Sequence, residues 1–311
     1  MTRMTRWRWG AVTTFPRWAA DGDVPVELLR RLGRAGAGLV LVDPAGDGPQ
    51  LEGTALAGFA SAVPAAPAVL AGVRSAEVPP YLLARELVTL DHLTHGRSGW
   101  WCIDVTEHPG RADEHLDVVA RLCASWEPDA VVQDRVSGAY ADHRKVHPIE
   151  HTGTHYAVRG PLNTVPPRAR PVVVLDGSAP AVVDVAARRA DVLVLDTGRD
   201  TGPGGPAGSR DEHADAVARL RAGLVAAGRD VSACAVLVRL PADTPAADVV
   251  AAVRDRGADG FLLDVPLVAG PALDRTLTAI TAGLVPDLVR DGLLAPVRAP
   301  GPTLRELLEE N

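Results

Sequence analysis

The stretch Pro171–Thr197, PVVVLDGSAPAVVDVAARRADVLVLDT, carries two short runs of β-branched and aliphatic residues, VVVLD and VLVLD, with a segment of helix length between them. Runs of this kind fit strands covered on both faces, and two of them joined through a helix make a parallel βαβ unit. The alternation continues in both directions along the chain. Eight candidate strands can be read: WRWGAVT (7–13), AGLVLVD (37–43), AVLAGVR (68–74), SGWWCIDV (98–105), PVVVLDG (171–177), DVLVLDT (191–197), ACAVLVRL (233–240) and GFLLDVP (260–266). Helix-length segments separate most of them; DEHADAVARLRAGLVAAG, Asp211–Gly228, opens on Asp and closes on Gly as a capped helix should. Eight strands and their crossovers predict one α/β domain over residues 1–311, a TIM (β/α)8 barrel. A doubly wound open sheet is the alternative, because closure is not a local property of sequence.

Bulk properties narrow the function classes. The 311 residues are 47% hydrophobic and 23% charged, which excludes disordered and fibrous chains. No apolar run approaches the roughly 20 residues that cross a bilayer, and the opening MTRMTRWRWG has charge without an apolar leader segment, so a cytoplasmic protein is expected. Cys102, Cys123 and Cys234 form no C-x-x-C and sit in apolar runs, as reduced, buried thiols do. A net charge of -7 argues against a nucleic-acid surface. The small arm of Arg3, Arg6 and Arg8, interleaved with Trp7 and Trp9, is expected to pack on the bottom of the domain.

In a barrel of this kind, chemistry gathers at the C-terminal strand ends. Those ends read Asp43, Arg74, Asp104, Asp176, Asp196, Arg239 and Asp264. Asp after a strand commonly caps the next helix, but five carboxylates in one mouth would also suit a cation, a metal or an acid/base pair. Two insertions interrupt the alternation, one over about residues 127–171 and one, TGRDTGPGGPAGSR, at 197–210 that reads as a mobile lid over 198–210. The first contains His143, His147, His151 and His155, spaced by four. On a helix they would share a face and could hold zinc, but Pro148 and Gly153 forbid a continuous helix there, so no metal site is assigned.

The run from Arg111 to Asn163, RADEHLDVVARLCASWEPDAVVQDRVSGAYADHRKVHPIEHTGTHYAVRGPLN, closely resembles the nitrilotriacetate and dibenzothiophene-sulfone monooxygenase branch of the bacterial luciferase-like superfamily. It carries that branch's W-x-x-x-A, Y-A-D and K-V-x-x-I-x-H-x-G signatures in order. ARELVTLDHLTHGRSGW upstream, RPVVVLDGSA, LVPDLVRDGLL and TLRELL downstream extend the resemblance over nearly the whole chain. It implies a TIM barrel with an inserted loop, after the fourth βα unit, over the mouth. It also implies reduced FMN supplied by a separate flavin reductase, and oxygenation of a small-molecule substrate. Flavin-binding positions would map to Asp43, Trp101, Asp104, Gly177 and Ser178, and His151 and His147 become candidates for facing substrate. Members of the family often form oligomers, so a homo-oligomer is within expectation.

The sequence departs from that family where flavin would bind. Trp101 stands where the family has a small amide. The phosphate turn G-S-S-x-x-G is here Gly177-Ser178-Ala179-Pro180-Ala181-Val182, which loses a hydroxyl and an N–H and adds bulk. Asp176 puts a carboxylate beside the place of a phosphate; unit charges about 4 Å apart repel by roughly 4 kcal/mol at an effective dielectric of about 20. Weak FMN binding is therefore expected. Two function classes stay open: a flavin-dependent monooxygenase with a degenerate flavin site, or a non-catalytic barrel that has lost FMN and accompanies a catalytic homologue. A metal-dependent hydrolase on the same barrel is a third reading, for which no ligand cluster assembles.

Overall fold

The computed structural model describes residues 8–14, 23–43, 52–166, 170–196, 209–265, 270–295 and 304–309. Strand β1 (Arg8–Thr14) leads to α1 (Asp23–Arg34), β2 (Leu39–Asp43) to α2 (Gly53–Ser61), β3 (Ala68–Val73) to α3 (Pro80–Thr94), and β4 (Gly99–Cys102) to α4 (Pro109–Cys123). Two short strands, β5 (His151–Thr152) and β6 (Ala157–Val158), form a separate antiparallel pair. The alternation resumes with β7 (Val172–Asp176), α5 (Pro180–Arg189), β8 (Val192–Asp196), α6 (Arg210–Ala226), β9 (Ala235–Pro241), α7 (Ala246–Asp255) and β10 (Gly260–Asp264). Helix α8 (Pro271–Thr278) runs through a π-helical turn into α9 (Val285–Arg290), and α10 (Leu304–Glu309) follows.

The eight long strands close into one parallel barrel in the order β1-β10-β9-β8-β7-β4-β3-β2. All eight strands read from the sequence are present, and the open-sheet alternative is excluded by the β1–β10 pairing, in which Arg8 lies against Gly260 and Val12 against Asp264.

Side-chain alternation makes the two cores. Leu39, Leu41, Leu70, Val172, Val174, Val192, Val194, Leu237 and Leu262 point inward and fill the barrel with branched aliphatics. Their neighbours one residue away, among them Val40, Val173, Leu193, Val236 and Phe261, point outward under the helices. That double burial is why the strands read as unbroken apolar runs; each such side chain contributes about 1.5–3 kcal/mol on leaving water. At the bottom, Leu304 of α10 joins the inner cluster, and its N–H bonds to the Gly96 carbonyl at 3.1 Å.

Local details differ from the sequence reading. The helix expected at 211–228 spans Arg210–Ala226, and its cap is Ser209, whose side chain pairs with the N–H of Glu212 while Glu212 reaches back: a capping box rather than an Asp cap. Gly228 does stand just beyond the end, with φ +69°. Trp9 is buried and stacks on Phe261 at 6.3 Å; Arg3, Arg6 and Trp7 of the N-terminal arm lie outside the described residues. So do 197–208, most of the expected lid.

The insertion between α4 and β7 takes a course other than the one expected. It leaves from the C-terminal end of α4, opposite the mouth, because α-to-β connections lie at the bottom of a barrel. From there it climbs the outer face of α4: Arg121 donates to the Ile149 carbonyl, and Glu114 accepts from the N–H groups of His155 and Tyr156, both at 2.9 Å. Tyr156 reaches the mouth's rim, donating to the Ser75 carbonyl at 2.7 Å. The chain then descends, with Trp126 donating to Leu162 O at 2.7 Å and His92 to Val165 O at 2.8 Å. The segment thus runs beside the barrel and meets the mouth at its edge.

Candidate functional site

The top inward layer of the barrel is built from the residues that follow the last aliphatic of each strand. On β9 this is Arg239, only 4% exposed, flanked by the ends of β8 and β10. Its Nε and Nη2 bond to Asp264 Oδ1 at 2.8 and 2.7 Å, and its Nη1 lies 3.6 Å from Asp196 Oδ2. Burial works against the guanidinium charge, but the bond from Asp264 and the charges of Asp264, Asp196 and Asp176 outweigh it and raise its pKa further. On the next strands, Trp101 of β4 donates its indole Nε1–H to Asp176 Oδ1 of β7 at 2.9 Å, and both side chains are buried. The acidic mouth expected from the sequence is therefore largely satisfied from within, by one cation and one indole.

Asp104 has another task. Its carboxylate accepts from Ser75 N and Ser75 Oγ, both at 2.9 Å, from Ala76 N at 3.0 Å, and from the Cys102 thiol at 3.4 Å. Burial raises its pKa, and these donors overcome that and hold it below the usual carboxylate value. It staples the loop after β3 to the loop after β4. Arg74 sits at the rim, 3.3 Å from Glu107. Asp43 ends β2, and its side chain lies outside the described part of the structure.

The turn that would meet a phosphate runs from Gly177 to Pro180. Gly177 has φ +123°, a backbone that favours glycine, and its N–H donates to Val194 O at 3.0 Å. Helix α5 then starts at Pro180 with Ala179 as a cap that offers no side-chain bond. Val182 packs beside Gly177: a β-carbon there would lie 3.6 Å from its methyls.

The four histidines do not assemble. His143 opens an exposed 3-10 turn, His147 pairs with Glu127 at 2.7 Å, and His155 is exposed. His151 forms a clip. Arg121 Nη1 donates to its Nδ1 at 3.1 Å, which leaves its Nε2–H to donate to Glu114 Oε1 at 3.0 Å. A β-carbon on Gly153 would run into the Glu114 carboxylate, so glycine lets the hairpin close on α4. These contacts tie His151 and His147 to the insertion and α4. Among the described residues, no group of three or more His, Cys, Asp or Glu could hold a metal ion.

One residue close to the mouth escaped the sequence reading. His213, in the first turn of α6, is buried and accepts from Arg256 Nε at 3.0 Å. Burial and the neighbouring Arg256 hold its pKa below the usual imidazole value. Its polar surroundings in sequence, DEHAD, gave no sign of burial.

Four matches to known proteins bear on this architecture. A pristinamycin IIA synthase subunit of Streptomyces pristinaespiralis is 38% identical over 171 residues, covering 53% of this chain and 60% of that one. Nitrilotriacetate monooxygenase component A of Aminobacter aminovorans is 38% identical over 132 residues, 37% of this chain and 29% of that one. The chain thus spans 60% or less of these relatives' lengths. The crystal structure of a long-chain alkane monooxygenase superposes over 100% of this chain and 96% of its own, with a TM-score of 0.82 at 20% identity, which is a likeness of fold. The model of the luciferase-like monooxygenases matches residues 55–257, from α2 through β3, the insertion and the strands up to β9. A match over well more than half of the 311 residues makes this chain a member of the luciferase-like monooxygenase family.

Proposed function

We propose that this chain works in a flavin-dependent monooxygenase system, an oxidoreductase acting on a small organic substrate with reduced FMN from a separate reductase, and that its own barrel is the flavin-free partner of a flavin-binding homologue. The single observation that carries this reading is the Trp101–Asp176 pair. Trp101 and Asp176, both buried, stand at positions where the family resemblance would put residues that touch the flavin ring and precede its phosphate turn. These residues do not fit FMN, an anion that needs donors and open backbone at that turn.

Support for a multi-part system comes from the names of two relatives, one a subunit of a synthase and the other a component of a monooxygenase, and from an exposed apolar face on this chain. Contacts between Thr54 and Glu86 and between Gly58 and Leu90 set α2 and α3 side by side and parallel, and Phe59, Leu82 and Leu93 stand exposed on them. Such a face suits a second barrel, another copy or a homologue. The three thiols are free and buried, in keeping with a reducing, cytoplasmic setting.

A second reading keeps FMN on this chain, and one observation favours it: α5 begins without a side-chain cap, so its first amides face the turn as an anion site would. Anaerobic titration with FMN and with reduced FMN, followed by flavin fluorescence, separates the two. No saturation up to roughly millimolar flavin supports the flavin-free barrel; saturation at about micromolar concentration overturns it in favour of the second reading.

A further inference from the structure

We propose that the floor of the barrel, at the N-terminal ends of β7, β8 and β9, is a binding site for the phosphate group of a small molecule, with Arg229 and Arg305 as its cations. A cavity of about 400 Å³ lies there, lined by Arg170 before β7, Asp191 before β8, Arg229 and Ser232 before β9, and Arg305 and Leu308 of α10. Chemistry in a barrel of this kind gathers at the opposite end, so the site is separate from the mouth and does not rest on the reading of flavin there.

Charge supplies the first argument, because the guanidinium groups of Arg170, Arg229 and Arg305 share a single lining carboxylate, that of Asp191. Asp191 is buried and both of its oxygens are engaged: Oδ2 by Arg170 Nη1 at 2.6 Å and by the Val173 N–H at 2.9 Å, Oδ1 by Arg170 Nη2 at 2.7 Å, with Arg305 Nη1 at 3.5 Å. One positive charge is thereby matched, and those of Arg229 and Arg305 are left over. Arg229 donates only to neutral groups, the carbonyls of Ala186, Ala187, Ala190 and Ala233 at 3.2, 2.9, 2.6 and 2.9 Å. The C-terminal end of α5 to which it is tied carries a partial charge of about half a unit, which offsets only part of the excess. Burial lowers the pKa of Arg229, and the neighbouring Arg170 and Arg189 add to that while Asp191 opposes it.

Donors and space supply the second. Among the described residues, Arg305 spends its fork on the Arg170 carbonyl at 3.1 Å and on Asp191, and its other N–H groups remain for a ligand. A staple for α10 needs one arginine and one aspartate; a second and third cation around the same cavity suit an anion that brings two charges. A phosphate does so and offers oxygens to a guanidinium fork, whereas a lone carboxylate would match one cation and leave the other. The volume is that of a small-molecule site, with room for carbon atoms beyond the phosphate along the Leu308 side.

The test is calorimetric titration of the full chain with inorganic phosphate and with glycerol 3-phosphate, with glycerol as the uncharged control and sodium chloride at matched ionic strength. The expected result is saturable binding of both phosphates at a Kd on the order of millimolar, the ester binding at least as tightly as phosphate itself, and none of glycerol or chloride. Arg305→Gln should weaken binding about tenfold, the worth of one hydrogen bond between charged groups, and Arg305→Lys, which keeps the charge, should retain most of it. In the wild-type chain, the backbone amide signals of Ser232 and Ala233 should move by ¹H–¹⁵N NMR as the site fills, while those of Gly177 and Ser178 at the mouth stay in place; this reading locates the site without any variant. The proposal is overturned by a titration without saturation up to about 100 mM phosphate, by the same response to chloride, by an unchanged Kd in Arg305→Gln, or by signals that move at Gly177 and not at Ser232. An ester that binds more weakly than phosphate overturns the assignment to a phosphorylated molecule.

Discussion

Strands β7 and β8 have nearly the same sequence, VVVLD and VLVLD, lie side by side, and end in the same residue type, yet their two aspartates meet different fates. The pairing sets Val174 against Val192, so Asp176 stands level with Val194 and Asp196 rises one inward position higher, level with Arg239. Asp196 therefore shares a permanent cation with Asp264, whereas Asp176 accepts from the neutral indole of Trp101. Beyond the strands the contrast continues, since α6 opens on a full capping box and α5 opens on Ala179 with none. The stagger of a barrel, more than the residue type at a strand end, decides what a carboxylate becomes.

The largest expected effect tests the Arg239 side of this comparison. Arg239→Met removes the cation between Asp264 and Asp196 and should destabilise the fold by about 3 to 5 kcal/mol in urea unfolding, with part of the loss recovered by adding Asp264→Asn. A loss below about 1 kcal/mol would place that network among ordinary surface pairs. On the other strand, Trp101→Phe keeps the ring and removes one donor to Asp176, for a cost of about 1 to 2 kcal/mol. If the two variants cost the same, the contrast between β7 and β8 fails.

A third prediction sharpens the contrast at the turn after β7. Asp176→Ala combined with Ala179→Ser removes the carboxylate and restores a hydroxyl, and FMN binding should tighten by an order of magnitude, about 1.4 kcal/mol. An unchanged titration would point to Trp101 as the residue that limits flavin binding.

The smallest effect belongs to the outer clip. Burial raises the pKa of Glu114, but the bonds from His151, His155 N and Tyr156 N outweigh it and leave the pKa lowered. A carboxylate with a depressed folded pKa stabilises above its unfolded value, near 4, and that contribution fades as pH falls through the folded value. Glu114→Gln should therefore cost about 1 kcal/mol at neutral pH, and the difference from wild type should shrink below about pH 4. Thermal unfolding of both proteins across that range measures it; a constant difference would mean that charge has no part in the clip.

The fold was legible because the described strand residues are buried on both faces, so most of the barrel strands declare themselves as compact apolar runs. The strand-end residues were legible by position alone. Their partners were not: that Trp101 faces Asp176 depends on closure of the sheet and on register, and 75 residues separate the two. The His151–Glu114 clip spans 37 residues and depends on the path of an irregular segment, so a reading by motif placed His151 over the mouth when its contacts lie along α4. The cap at Ser209 was missed for a simpler reason, since Asp211 two residues on is an equally good capping type and only geometry chooses between them.

Helix α10 carries a consequence for how the protein is made. Leu304 fills the lowest inner layer, and Arg305 reaches the Arg170 carbonyl and lies 3.5 Å from Asp191. These residues leave the ribosome after all eight strands have done so. Until they arrive, the barrel's floor is open to water under Leu39, Ala68, Val172 and Val192, so a nascent chain stalled before residue 304 exposes a ring of aliphatic side chains. The interval between the last strand and that helix is the period in which chaperone binding and misassembly compete with completion of the core.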